Sequence, residues 1–124
     1  MECDPVGTVH TPFDEPSDAP RQGALEDVVG EVELRDRYAE GLVGVEPGHE
    51  TDVVWWADRA DRDLLRLDRD GRGVFASRSP ARPNPVCVTR VEVVAADADA
   101  GRLRVRGVDM VDGSPVIDLK AALR

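Results

Sequence analysis

The sequence predicts a small, mainly β domain, a barrel or sandwich of short strands accompanied by one short helix. Apolar residues recur with a two-residue period in about six or seven short stretches, and turn-forming residues separate them roughly every ten positions. Glycine and proline number 11 and 9 among the 124 residues, whereas aromatic residues make up only 4%. This length supports one core and is short for two, so a single domain is expected over residues 1–124.

The elements follow in order. A strand is expected at 6–10, cut off by Thr11 and Pro12, and a loop at 13–23, where Pro16 and Pro20 stand among Asp14, Ser17 and Asp18. Over 28–34, Val28, Gly30, Val32 and Leu34 alternate with Glu31 and Glu33, the pattern of a half-buried strand. Tyr38, Leu42 and Val45 recur at helical spacing over 36–45, with Asp36 as candidate N-cap, and Gly41 and Gly44 keep that helix short. Residues 51–57 (T-D-V-V-W-W-A) are β-branched and aromatic, as in a buried strand. The charge-dense stretch 58–73 reads as a surface excursion, since Leu64, Leu65 and Leu67 are its only sizeable apolar residues. A short strand is expected at 74–76, before a proline-rich loop. Residues 86–95 carry the strongest strand signal, in Val86, Val88, Val91, Val93 and Val94. After a turn at 97–101, residues 102–108 set Leu103, Val105 and Gly107 on one side and Arg102, Arg104 and Arg106 on the other; a last strand is expected at 116–119. A Rossmann domain would require alternating strands and helices and a G-x-G-x-x-G turn, and the sequence has neither.

Sixteen Asp and nine Glu outweigh fifteen Arg and one Lys, for a formal net charge of −9. Such a balance ordinarily counts against nucleic-acid partners, whose phosphates are met by Lys and Arg. An acidic, lysine-poor surface is also how a chain stays hydrated in concentrated salt, the halophilic reading. In molar salt the Debye length falls to ~3 Å, so diffuse repulsion from RNA is nearly erased and local arginine clusters decide. Cys3, Cys87, His10 and His49 lack metal-ligand spacing, so no metal is expected. No apolar run approaches the ~20 residues of a membrane span, and no basic-then-apolar leader is present. The expectation is a cytoplasmic protein with no membrane partner.

Three loops combine rigid backbone with polar groups: A-P-R-Q-G at 19–23, F-A-S-R-S-P-A-R-P-N-P at 75–85, and G-V-D-M-V-D-G-S-P-V-I-D at 107–118. Pro80, Pro83 and Pro85 stiffen the track that carries Arg78, Arg82 and Asn84, which favours a preorganised site. On the same residues, R-P-N-P also reads as a corner in which Asn84 bonds backbone, and Asp112 as the cap of an Asp-Gly turn.

With V-G-T-V-H-T-P-F at 6–13, these motifs occur in the order and spacing of the TsaA/TrmO-like family, which the chain resembles over residues 6–120. The resemblance implies a compact β-barrel, a homodimer, and S-adenosylmethionine bound near the dimer interface. It implies methyl transfer to N6 of threonylcarbamoyladenosine beside the anticodon of tRNA. Alternatives within the same fold are a methyltransferase for another acceptor and a cofactor- or RNA-binding module without this activity. By motif, Pro20, Arg21, Gln22, Asp58, Arg59, Arg78, Val88, Gly107, Val108 and Asp109 would contact the cofactor. Arg78 suits its carboxylate, and Asp109 its ribose diol or sulfonium. Asp109 and then Asp112 are the candidate catalytic carboxylates, and Arg82 and Asn84 would meet the substrate. The chain departs from the family at 48–52 (G-H-E-T-D), where a Phe-Ser-His-aromatic pattern is usual, at Asp58 and Arg59, and at Cys87, where glycine is usual.

Overall fold

A computed structural model describes residues 1–19 and 27–123. Six antiparallel strands close into a barrel: β1 (Gly7–His10), β2 (Val29–Leu34), β3 (Glu50–Trp56), β4 (Val86–Asp97), β5 (Arg102–Arg106) and β6 (Ser114–Ala121). Their order around the barrel is β1-β2-β5-β4-β3-β6, and β6 pairs back onto β1. Closure settles the choice between barrel and sandwich.

The two-residue period builds the interior. Val9 faces Val32, Val32 faces Leu103, and Val105 faces Val93, all of them buried. Outside, the arginines of β5 meet acids on the flanking strands. Arg102 Nη1 lies 2.5 Å from Glu31 and its Nη2 3.3 Å from Glu33, while Arg106 lies 2.8 Å from Glu92. Arg102 and Arg106 are therefore locally neutralised.

Three expectations are corrected. The predicted helix is a 3-10 helix, Asp36–Leu42, whose N-cap is Arg35 rather than Asp36. Only Leu42 of it is buried, and Gly44 follows at a φ of 93°, so the segment never gains a second anchoring face. Residues 74–76 form a 3-10 turn, Val74–Ala76, because Ser77 returns its backbone N–H to the Val74 carbonyl instead of pairing with a strand. The strand expected at 102–108 ends at Arg106, since Gly107 adopts a φ of 99° and redirects the chain. Along β4 the inward phase is Cys87, Thr89, Val91 and Val93, so Val86 and Val88 point outward with 42% and 44% exposure. The excursion at 58–73 is a loop with a lone bridge between Arg66 and Gly73, and Leu65 is exposed. No described helix is long and apolar enough to cross a membrane.

Antiparallel closure also sorts the connections. The ends of β1, β3 and β5 and the starts of β2, β4 and β6 share one mouth. Residues 11–19 and 27–28 and the loops at 57–85 and 107–113 lie at that mouth. The opposite mouth carries the Asp36–Leu42 segment, the 98–101 turn and both chain ends.

Candidate functional site

At the motif mouth the loop after β5 is held from several sides. Gly107 and Val108 donate their N–H groups to the Val28 carbonyl at 2.8 and 3.3 Å, and Thr11 Oγ1 donates to the Met110 carbonyl at 2.7 Å. Val108 and Met110 are fully buried. Asp109 lies between these two anchors, and its Oδ1 accepts the Thr89 hydroxyl at 2.5 Å. The side chain of Val108 thus anchors the loop, and any ligand contact at this position falls to its backbone.

Thr89 and Cys87 are successive inward residues of β4, which brings Cys87 within the field of Asp109. Burial, and then the Asp109 charge, push the Cys87 thiol up to about 11, against the weaker opposite pull of Arg82 and Arg78. At neutral pH the sulfur is protonated and is no nucleophile. Its side chain packs against the barrel core and its Sγ donates to the Pro85 carbonyl at 3.8 Å. Cys87 is therefore accommodated by the interior.

The proline-rich loop uses its two arginines differently. Arg82 is half-buried, and its Nη2 donates to the carbonyls of Val74 and of Ser77, the latter at 2.8 Å. This guanidinium braces its own loop. Arg78 is exposed and takes no hydrogen bond or ion pair among the described residues. Asn84 is exposed at the entry to β4, and its Oδ1 accepts from Arg62 Nη2 at 3.4 Å. Arg62 also donates to the Pro83 carbonyl at 2.8 Å and lies 5.0 Å over the Trp56 ring, joining the 58–73 excursion to the R-P-N-P corner.

Of the other expected residues, Arg59 bonds the Asp14 carbonyl at 3.1 Å and Glu15 at 3.2 Å, tying the end of β3 to the segment that leads into 20–26. Asp58 is exposed beside it. Pro20, Arg21 and Gln22 lie outside the described residues. Val88 opens onto the outer wall, opposite Val54, with Val86 and Trp56 as the next pair. Asp112 accepts the Thr11 N–H at 3.0 Å, with His10 Nδ1 3.6 Å away, so it caps the turn between β1 and the incoming loop. The mouth brings together Asp109, Thr89, Cys87, Arg78 and Arg82, whereas Asp112 is engaged on the β1 side.

A cavity of about 570 Å³ opens at the opposite mouth, floored by Leu34, Leu42 and Leu103 with Tyr38 and Lys120 among its lining residues. None of the expected site residues touches it, and it lies between the Asp36–Leu42 segment and the end of β6.

The family described as the N-terminal domain of tRNA-methyltransferase O matches residues 8–124. The chain belongs to this TrmO family. A probable S-adenosyl-L-methionine-binding protein of Halobacterium salinarum is 52% identical over 123 residues, covering 99% of both chains. An S-adenosyl-L-methionine-binding protein of Archaeoglobus fulgidus is 45% identical, covering 97% of this chain and 88% of that protein. The tRNA (adenine(37)-N6)-methyltransferase of Escherichia coli is 33% identical over 99% of this chain and 58% of its own length. Among solved structures, a TrmO crystal structure superposes with a TM-score of 0.85 at 31% identity, covering 99% of this chain and 57% of that one. TrmO from Pseudomonas aeruginosa gives 0.82 at 31% identity, with 99% and 56% covered. The chain thus spans 99% and 88% of these two archaeal relatives and a little over half of the solved TrmO chains.

Two contributors were missed by sequence reasoning, Thr89 and Arg62. Neither carries a motif, and both act through partners that only strand register or loop packing brings near.

Proposed function

We propose that this protein binds S-adenosylmethionine at the motif mouth and transfers its methyl group to N6 of threonylcarbamoyladenosine beside a tRNA anticodon. The observation that carries this reading is that a carboxylate set between buried anchors, Asp109, and an arginine exposed on the proline-stiffened loop, Arg78, both act electrostatically on the same thiol, Cys87. The donor set fits the cofactor: a guanidinium for its carboxylate, a carboxylate for its diol or sulfonium, and a protonated thiol that does not compete for the methyl group. Asp58, Arg59, Val88 and the backbone of Gly107 and Val108 complete the pocket, joined by Pro20, Arg21 and Gln22 through their motif.

When bound, S-adenosylmethionine supplies an electrophilic methyl carbon whose bond to sulfur breaks, with its electron pair, as the bond to nitrogen forms. Positioning does most of the work in such an in-line displacement. The N6 proton leaves to Asp109, or to water that Asp109 orients; Asp112, held by Thr11, is the second candidate. Asn84, exposed at the same rim, faces the acceptor.

The working unit is a homodimer, in which a second copy covers the outward apolar residues Val86, Val88 and Phe75 beside the site. The protein is cytoplasmic and adapted to high salt, a reading that the net charge of −9 and the Halobacterium relative both support. In such salt an acidic protein approaches tRNA without long-range repulsion, and Arg78 makes the local contact.

A second reading is a methyltransferase for another acceptor, or a module that only binds the cofactor. The share of the solved TrmO chains that this chain spans, 57%, and the changed stretch at 48–52 favour keeping it. Calorimetry with S-adenosylmethionine in molar KCl, followed by nucleoside analysis of tRNA incubated with the protein, decides among them. Absence of binding overturns both methyltransferase readings. Binding without a new methylated nucleoside leaves the cofactor half standing and removes the tRNA half. A particle of 13.5 kDa by light scattering in molar KCl overturns the dimer.

A further inference from the structure

We infer that Thr89, backed by Trp55, is a positioning residue that holds Asp109 in the orientation methyl transfer requires; the inference rests on the cofactor reading above. Trp55 Nε1 lies 3.0 Å from Thr89 Oγ1, which lies 2.5 Å from Asp109 Oδ1. The direction of this relay has one solution. An indole N–H only donates, an ionised carboxylate only accepts, and a hydroxyl has one hydrogen to give. Trp55 occupies a lone pair of the Thr89 oxygen, and the hydroxyl hydrogen is then committed to Asp109.

Barrel register puts the relay there. Trp55 pairs with Cys87 and Val53 with Thr89, so Trp55 and Thr89 are diagonal neighbours on the inner face of β3 and β4, within reach of an aromatic side chain. Both are buried, with 8% and 6% exposure, where no solvent competes for the bonds and each strengthens the next. The Asp109 backbone is fixed separately, by Val108 and Met110 in the core and by Thr11 on the Met110 carbonyl. Backbone and carboxylate are thus held by independent sets of contacts. A residue that serves packing alone needs no such polar chain, since valine has the shape of threonine.

The signature of this role is a fall in methyl-transfer rate at retained cofactor binding. Single-turnover transfer of labelled methyl from S-adenosylmethionine into tRNA, in molar KCl, measures it, with the thermal midpoint of each variant recorded alongside. Loss of a charge-assisted hydrogen bond predicts a rate about 10- to 100-fold lower in Thr89→Val, with cofactor affinity within about threefold of wild type. Thr89→Ser, which keeps the hydroxyl, is expected within about threefold of the wild-type rate, and Trp55→Phe between the two. A Thr89→Val protein at the wild-type rate overturns the relay, as does equal impairment of Thr89→Val and Thr89→Ser. A wild type that transfers no methyl group overturns the proposed function instead, and the relay's part in it falls with that function.

Discussion

Gly30 on β2 and Val108 in the loop after β5 touch so closely that a Cβ at position 30 would stand 2.9 Å from Val108 Cγ1. The same Cβ would also stand 2.9 Å from the carbonyl oxygen of His10. The barrel wall is bare at this point so that Val108 can be buried against it. Gly30→Ala therefore forces either the wall or the loop to move, and overpacking of this kind costs about 1–3 kcal/mol. Asp109 is the next residue, so cofactor affinity should fall together with stability. Urea unfolding and calorimetry on the same preparation check both, and an unchanged pair of values would contradict this coupling.

Arg78 and Arg82 should separate cleanly. Arg82→Ala leaves the Val74 and Ser77 carbonyls without their guanidinium donor, which predicts a loss of about 1–3 kcal/mol in unfolding free energy. Arg78→Ala removes an exposed side chain and should change stability by no more than about 0.5 kcal/mol. Its affinity for S-adenosylmethionine should drop about tenfold or more, the worth of a charge-assisted contact. A reversed pattern would exchange the roles of the two arginines.

The two cysteines should differ in reactivity. Cys3 is exposed, whereas Cys87 is partly buried with its thiol pushed up to about 11. At pH 8 only about one Cys87 in a thousand is ionised, so iodoacetamide should label Cys3 alone in the native protein and both residues in urea. Peptide mass mapping reads the result. The sign of the stability effect follows. The folded thiol titrates above its unfolded value of 9.0, so its contribution is intact below pH 9 and is lost as the pH rises toward 11.

Tyr38 is the chain's single tyrosine, which makes its titration separable by absorbance. Its phenol donates to Asp4, and that bond, reinforced by burial, raises the phenol above its ordinary 10.0. Reciprocally, the Tyr38 hydroxyl and the Arg37 and Arg35 charges hold the Asp4 carboxyl below its usual range. In Asp4→Ala the midpoint of phenolate absorbance should move down toward 10.0. A midpoint equal in both proteins would remove the clamp between the N-terminal segment and the Asp36–Leu42 segment.

Much of the barrel is legible in residue order. The alternation of Val32 and Leu34, and of Leu103 and Val105, predicts their inward faces, and the structure buries all four. On β4 the pattern was ambiguous, because Val86 and Val88 occupy one phase and Val91 and Val93 the other. Pairing across to β3 decided it by turning Thr89, not Val88, toward the centre. Tyr38, Leu42 and Val45 have helical spacing, but two glycines and one buried contact sustain only a 3-10 segment. At the candidate site, the motif alone points to Asp109, and the stiff loop to Arg78. The contact from Trp55 to Thr89 was not legible, since it joins residues 34 positions apart through a register that no local pattern encodes. The inward commitment of Arg82 was equally hidden, because its partners are backbone carbonyls.

A ring of strands with no unpaired edge gives the two kinds of segment different clocks. Amide protons of the β3, β4 and β6 ladders, each bonded to neighbours on both sides, should exchange with solvent only when the whole barrel opens. Those of the 58–73 excursion, which carries one isolated bridge within itself and is tied to the R-P-N-P corner by Arg62, should exchange through small local openings. The loops at the mouth can then open and close many times over while the wall that carries Thr89 and Trp55 stays shut.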